Sequence, residues 1–77
     1  MVHAYVMVRT EAGAPQDVRA ALLEQDAVSE AHVVAGDYDL IVEVEATAVS
    51  EVLDVATEQI QALDGVTETK TYVAMSD

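Results

Sequence analysis

Cysteine is absent from this chain of 77 residues. No disulfide can staple the fold, and no thiolate can hold a metal. Positive charge is nearly absent too: Arg9, Arg19 and Lys70 face 15 Asp and Glu residues, for a net charge of −12. Such a chain repels phosphate, which excludes nucleic-acid binding by the chain alone and docking on an anionic membrane. No membrane-spanning run is visible. Met1-Val2-His3-Ala4-Tyr5 alternates, where a secretory leader is apolar behind a basic start. The only histidines, His3 and His32, lack ligand-like spacing, and a metal needs three or four converging groups. No serine stands in a recognisable nucleophile setting. The pairs Glu43/Glu45 and Asp37/Asp39 read as a solvated acidic face rather than as acid–base machinery. No catalytic residue, metal site or cofactor is expected.

What is present is apolar: 52% of residues are hydrophobic. Disorder, which an acidic composition can signal, is excluded because Val, Leu, Ile and Ala are abundant and periodic. A chain this short buries only about 60% of its unfolded surface. Apolar burial then roughly balances conformational entropy, which favours a domain that gains further burial by oligomerising. The acidity is the mark of a protein adapted to high salt, where carboxylates hold water and salt screens their repulsion. Absent cysteine and an absent leader fit a cytoplasmic address.

The pattern along the chain predicts six elements. Residues Val2 to Arg9 alternate as a strand, with Val2, Ala4, Val6 and Val8 on one face and His3, Tyr5 and Met7 on the other. Pro15 suits the first turn of a helix over roughly residues 15–25, with Asp17 near the positive end of its dipole. Val28 to Ala35 reads as a second strand, Gly36-Asp37 as a tight turn, and Tyr38 to Glu45 as a third strand. Thr47 is a candidate N-cap for a second helix with the apolar face Val49, Val52, Leu53, Ala56, Ile60 and Leu63. Gly65 suits a left-handed cap, and Val66 to Met75 reads as the last strand. A faint repeat supports two related halves: Asp26-Ala27-Val28-Ser29-Glu30-Ala31 matches Asp64-Gly65-Val66-Thr67-Glu68-Thr69 in type. Each copy follows a helix and opens a strand.

The expected class is therefore α+β, a ferredoxin-like βαββαβ domain over residues 1–77. Right-handed crossovers place both helices on one face of a four-stranded antiparallel sheet. Tyr5, Met7 and Ile41 make the other face apolar too, and two helices cannot cover both faces. A second copy can, as a dimeric α/β barrel.

The stretch Gly36-Asp37-Tyr38-Asp39, leading into Leu40, Val42 and Val44, and the ending Leu63-Asp64-Gly65-Val66 with Thr67, Thr69 and Thr71, resemble the ligand-binding (RAM) domain of the Lrp/AsnC feast/famine transcription regulators. The resemblance runs over nearly the whole chain, but only the turn and the ending are at all specific. It implies sheet-to-sheet dimers that associate into rings, often octamers, with an amino-acid effector between dimers. Carried onto this chain, the implied site is Gly36, Asp37, Tyr38 and Asp39 with Thr69 and Thr71 from an adjacent chain. The chemistry suits a zwitterion: backbone N–H groups near Gly36 for its carboxylate, Asp37 or Asp39 for its ammonium, and threonine hydroxyls for either. Without the resemblance, the turn reads as an ordinary Gly/Asp hairpin, Thr69 and Thr71 as good strand formers, and Met7 and Met75 as packing residues.

Full-length members of that family carry an N-terminal helix-turn-helix domain. Here the first strand starts at residue two, so a stand-alone sensing domain is expected, one that acts by co-assembly with full-length regulators. The alternatives from other classes are a small dimeric α/β-barrel enzyme and a structural assembly domain without a ligand.

Overall fold

The computed structural model describes residues 1–76. Strand β1 (Val2–Thr10) is followed by helix α1 (Pro15–Leu23), β2 (Val28–Val33), β3 (Leu40–Ala46), α2 (Val49–Asp54, continued by π-helical turns over Val55–Ile60) and β4 (Val66–Val73). The sheet order is β2-β3-β1-β4, with every neighbouring pair antiparallel. This is the expected ferredoxin-like arrangement.

The period-two pattern of the strands decides which face is covered. Ala4, Val6 and Val8 of β1 stand opposite Val44, Val42 and Leu40 of β3, and all six are fully buried. Val18 and Leu22 of α1 join this layer from above, as do Val55, Ala56 and Ile60 of the second helix. A smaller cluster of Ala4, Ala46 and Val52 closes the far end. Each buried Val, Leu or Ile contributes about 1.5–3 kcal/mol relative to exposure. No polar or charged side chain is buried among the described residues, so no desolvated charge opposes that gain.

The repeat has a structural counterpart. The Val28 N–H donates to the Gln25 carbonyl at 3.1 Å, and the Val66 N–H donates to the Leu63 carbonyl at 3.2 Å. The same turn therefore opens both edge strands. Gly65 takes φ +93°, the left-handed value expected of it, and a Cβ there would stand 3.2 Å from Val18 Cγ2.

Several local expectations are corrected. Helix α1 ends at Leu23, where Glu24 and Gln25 donate back to Ala21 and Leu22 in tighter turns. Thr47 does not cap α2. Ala48 occupies the N-cap position, and the Thr47 hydroxyl donates to the Glu51 carboxylate instead. The buried face of the second helix is Val52, Val55, Ala56 and Ile60, while Val49 and Leu53 are about half exposed. Val52, Val55 and Ala56 share one α-helical face at spacings of three and four, from which Leu53 points away. The turns that follow are wider than α-turns, as the 3.0 Å bond from the Gln61 N–H to the Ala56 carbonyl shows, and they keep Ile60 on that face. β4 ends at Val73, short of Met75, which is 93% exposed rather than a core packing residue.

The second face of the sheet is uncovered. It presents His3, Tyr5, Met7 and Arg9 from β1, Ile41, Glu43 and Glu45 from β3, and Lys70 and Tyr72 from β4. Tyr5 and Tyr72 are 40% and 55% exposed. No helix of the described residues is long and apolar enough to cross a membrane.

Candidate functional site

The connection between β2 and β3 is longer than a tight hairpin. The strands stop at Val33 and resume at Leu40, so Val34 to Asp39 form a loop rather than a two-residue turn at Gly36-Asp37. Its base is closed by backbone: the Val34 N–H donates to the Asp39 carbonyl at 2.8 Å, and the Asp39 N–H donates to the Val8 carbonyl at 2.9 Å. The Asp39 carboxylate is committed as well. Its Oδ2 accepts from the Thr10 backbone N–H at 2.7 Å and from the Thr10 hydroxyl at 3.3 Å. These bonds end β1 and widen the loop, which is why the strands do not run on to meet at the glycine.

The loop's tip is held by side chains. Arg9 donates through Nε and Nη2 to the Asp37 carbonyl, at 3.1 and 2.9 Å. Its Nη1 reaches Glu68 Oε1 at 3.3 Å. The guanidinium lies 4.7 Å from the centroid of the Tyr38 ring, and the Tyr38 hydroxyl donates to Glu68 Oε2 at 3.2 Å. Arg9, Tyr38 and Glu68 thus close a ring of three side chains from β1, the loop and β4. An exposed ion pair is worth roughly 0–1 kcal/mol and an exposed cation–π contact about 0.5–1 kcal/mol. The ring therefore orients the loop more than it stabilises the fold.

What the loop leaves free defines its chemistry. The N–H groups of Gly36, Asp37 and Tyr38 have no acceptor among the described residues. The Asp37 carboxylate accepts nothing there either, and the residue is exposed. Gly36 has no left-handed φ, and a Cβ there would meet nothing within 4 Å. The chain's own packing does not require glycine at this position. Three free donors and one free carboxylate sit within three residues.

The structure does not bring Thr69 and Thr71 to this loop within one chain. They stand opposite Val8 and Val6, half-buried on the helix-covered face of β4. Two strand spacings of about 4.8 Å separate β3 from β4, and Tyr38 meets the open-face residue Glu68 instead. Thr67 is used locally, its hydroxyl donating to the Arg9 carbonyl at 3.1 Å. The histidines lie on the open face. His3 Nδ1 is 3.8 and 4.0 Å from Glu45 and Glu43, and His32 Nε2 is 3.0 Å from Glu30. No group of three or more metal-ligating side chains converges among the described residues. Sequence reasoning missed Arg9, Thr10 and Glu68. Arg9 shares its parity with Tyr5 and Met7, which was the available signal for its face.

The family model for the Lrp/AsnC ligand-binding domain matches residues 3–77. The chain belongs to the Lrp/AsnC ligand-binding domain family. Its fold is similar to that of a hypothetical protein, PHS023, from Pyrococcus horikoshii, at 36% identity and a TM-score of 0.90 over 100% of this chain and 93% of that one. TTHA0845 from Thermus thermophilus is similar at 35% identity and a TM-score of 0.94, over 100% of this chain and 96% of that one. A transcriptional regulator from Neisseria meningitidis, solved as a complex with L-Met, shares the fold at 14% identity and a TM-score of 0.88. That match takes in 99% of this chain but only 51% of the regulator's length. No curated protein matches. As an Lrp/AsnC ligand-binding domain, the chain is a regulatory sensing module.

Proposed function

We propose that this Lrp/AsnC domain binds a free amino acid at the loop Gly36, Asp37, Tyr38 and Asp39, with Thr69 and Thr71 supplied by an adjacent copy. The observation that carries the reading is the loop's unspent chemistry: three free N–H donors for a carboxylate beside one free carboxylate for an ammonium. The arrangement favours Asp37 as the group that meets the ammonium, with Asp39 holding the loop through Thr10. Gly36 supports the same reading. Glycine there serves close approach by something outside the chain. The separation of the threonines from the loop within one chain fits a site shared between copies. The L-Met complex of the distant Neisseria regulator is a fold-level parallel only.

The proposed assembly is a dimer packed through the open sheet faces, with octameric rings as the larger form, and with full-length Lrp/AsnC regulators as partners in the cytoplasm. The chain acts by binding and association rather than by catalysis, and makes no direct contact with DNA. A thermal-shift screen of the twenty common amino acids in molar KCl tests the reading, because a ligand bound only by the native state stabilises it by mass action. A rise in melting temperature with one or a few amino acids is expected, and Gly36→Ala should abolish that rise without lowering the melting temperature of the free chain. Absence of any shift with the unaltered chain would remove the sensing role and leave a structural assembly domain.

A further inference from the structure

We propose that Arg9 is the positioning residue of the ligand loop. It would turn the Tyr38 N–H outward by holding the other side of the same peptide group. This rests on the amino-acid site proposed above. The peptide joining Asp37 to Tyr38 is planar and trans, so its C=O and N–H point in opposite directions. Arg9 grips that C=O with two donors at 2.9 and 3.1 Å. The Tyr38 N–H is thereby directed away from the guanidinium and has no acceptor among the described residues. A second contact fixes the same residue, with the guanidinium 4.7 Å from the Tyr38 ring. Glu68 holds both partners, one carboxylate oxygen on Arg9 and the other on the Tyr38 hydroxyl.

No other hydrogen bond among the described residues reaches the C=O or N–H of this peptide. The backbone bonds of the loop act at Val34 and Asp39, outside it. The other two cations do not substitute for Arg9. Arg19 donates to the Ala31 carbonyl at 2.7 Å, tying α1 to β2. Lys70 stands opposite Met7 on β4. A free carboxylate ligand then meets a donor already oriented. Without Arg9, the peptide would be free to rotate, and binding would bear the cost of ordering it.

The test compares Arg9→Met and Arg9→Lys with the unaltered full chain in molar KCl. Affinity is measured by calorimetry for whichever of the twenty L-amino acids gives the largest thermal shift. Exchange of the Tyr38 amide is followed by NMR without ligand. R9M is expected to lose about tenfold in affinity, the scale of one oriented hydrogen bond. R9K, which keeps a donor but not the fork, should recover part of it. Melting temperature and particle mass should be unchanged, and the Tyr38 amide should shift in R9M. Equal affinity in R9M and the unaltered chain overturns the proposal. So does a loss that R9K does not relieve, or one accompanied by a lowered melting temperature, which would make Arg9 merely structural. If the unaltered chain binds none of the twenty, the sensing reading fails separately. The Tyr38 amide then still decides for Arg9, a shift in R9M supporting it and no shift overturning it.

Discussion

The two faces of the one sheet are built from alternate residues of the same strands and have little else in common. The covered face is a close-packed layer of small aliphatic side chains, with Ala4, Val6, Val8, Leu40, Val42 and Val44 fully buried. It contains no buried charge among the described residues. The open face mixes aromatics and Met7 with His3, Glu43, Glu45, Arg9 and Lys70. Its residues remain partly accessible, and one end of it runs into the Val34–Asp39 loop through Arg9, Tyr38 and Glu68. The contrast separates two tasks. One face makes the fold. The other is left uncovered, the face proposed for association, and carries the contacts that orient the loop.

Adjacent residues on β3 offer the sharpest way to break this comparison. Leu40 is fully buried on the covered face, and Leu40→Ala should destabilise the chain by about 2–5 kcal/mol, read by chemical denaturation. Its neighbour Ile41 faces the other way. Ile41→Glu should retain strand and helix signals in circular dichroism while light scattering in molar salt reports loss of the dimer. If the Ile41 substitution unfolds the chain as Leu40→Ala does, the division of tasks between faces is wrong.

The loop gives the next largest effect. Asp37→Ala removes the free carboxylate proposed to meet the ligand's ammonium. Loss of a charged hydrogen bond costs about 1.5–3 kcal/mol, or roughly ten- to a hundredfold in amino-acid affinity. Calorimetry should show that loss with the particle mass unchanged, and unchanged affinity would take Asp37 out of the proposed site. Salt should act more gently, through the repulsion among carboxylates that are spread over the helices, the loops and the open face. With a net charge of −12, screening should raise the melting temperature by several degrees between low and molar KCl, since about 1 kcal/mol corresponds to roughly 4–8 °C in a domain of this size. A flat dependence would argue against adaptation to high salt.

Much of the architecture was legible because its signals are local. Alternation in Val2 to Val8 and Leu40 to Val44 states which side chains share a face. Pro15 and Gly65 mark where α1 begins and where α2 gives way to β4. The loop residues were legible as a group, but their roles were not. Asp37 and Asp39 look interchangeable in sequence, yet one carboxylate is free and the other is spent on Thr10. The second helix misled for a similar reason. Its apolar spacing fits α-turns, and only packing against the sheet shows that Val55 replaces Leu53 on the buried face.

By itself, the sequence determined the order of elements, the two-faced character of the strands and an acidic surface unsuited to phosphate. These follow from periodicity and composition, which act over a few residues or over the whole chain at once. Tertiary structure decided which groups meet. Arg9 reaches Asp37 across 28 residues and Glu68 across 59. Those meetings depend on the register between β1, β3 and β4. A shift of one residue in that register would turn Arg9 to the covered face and leave the loop without its anchor.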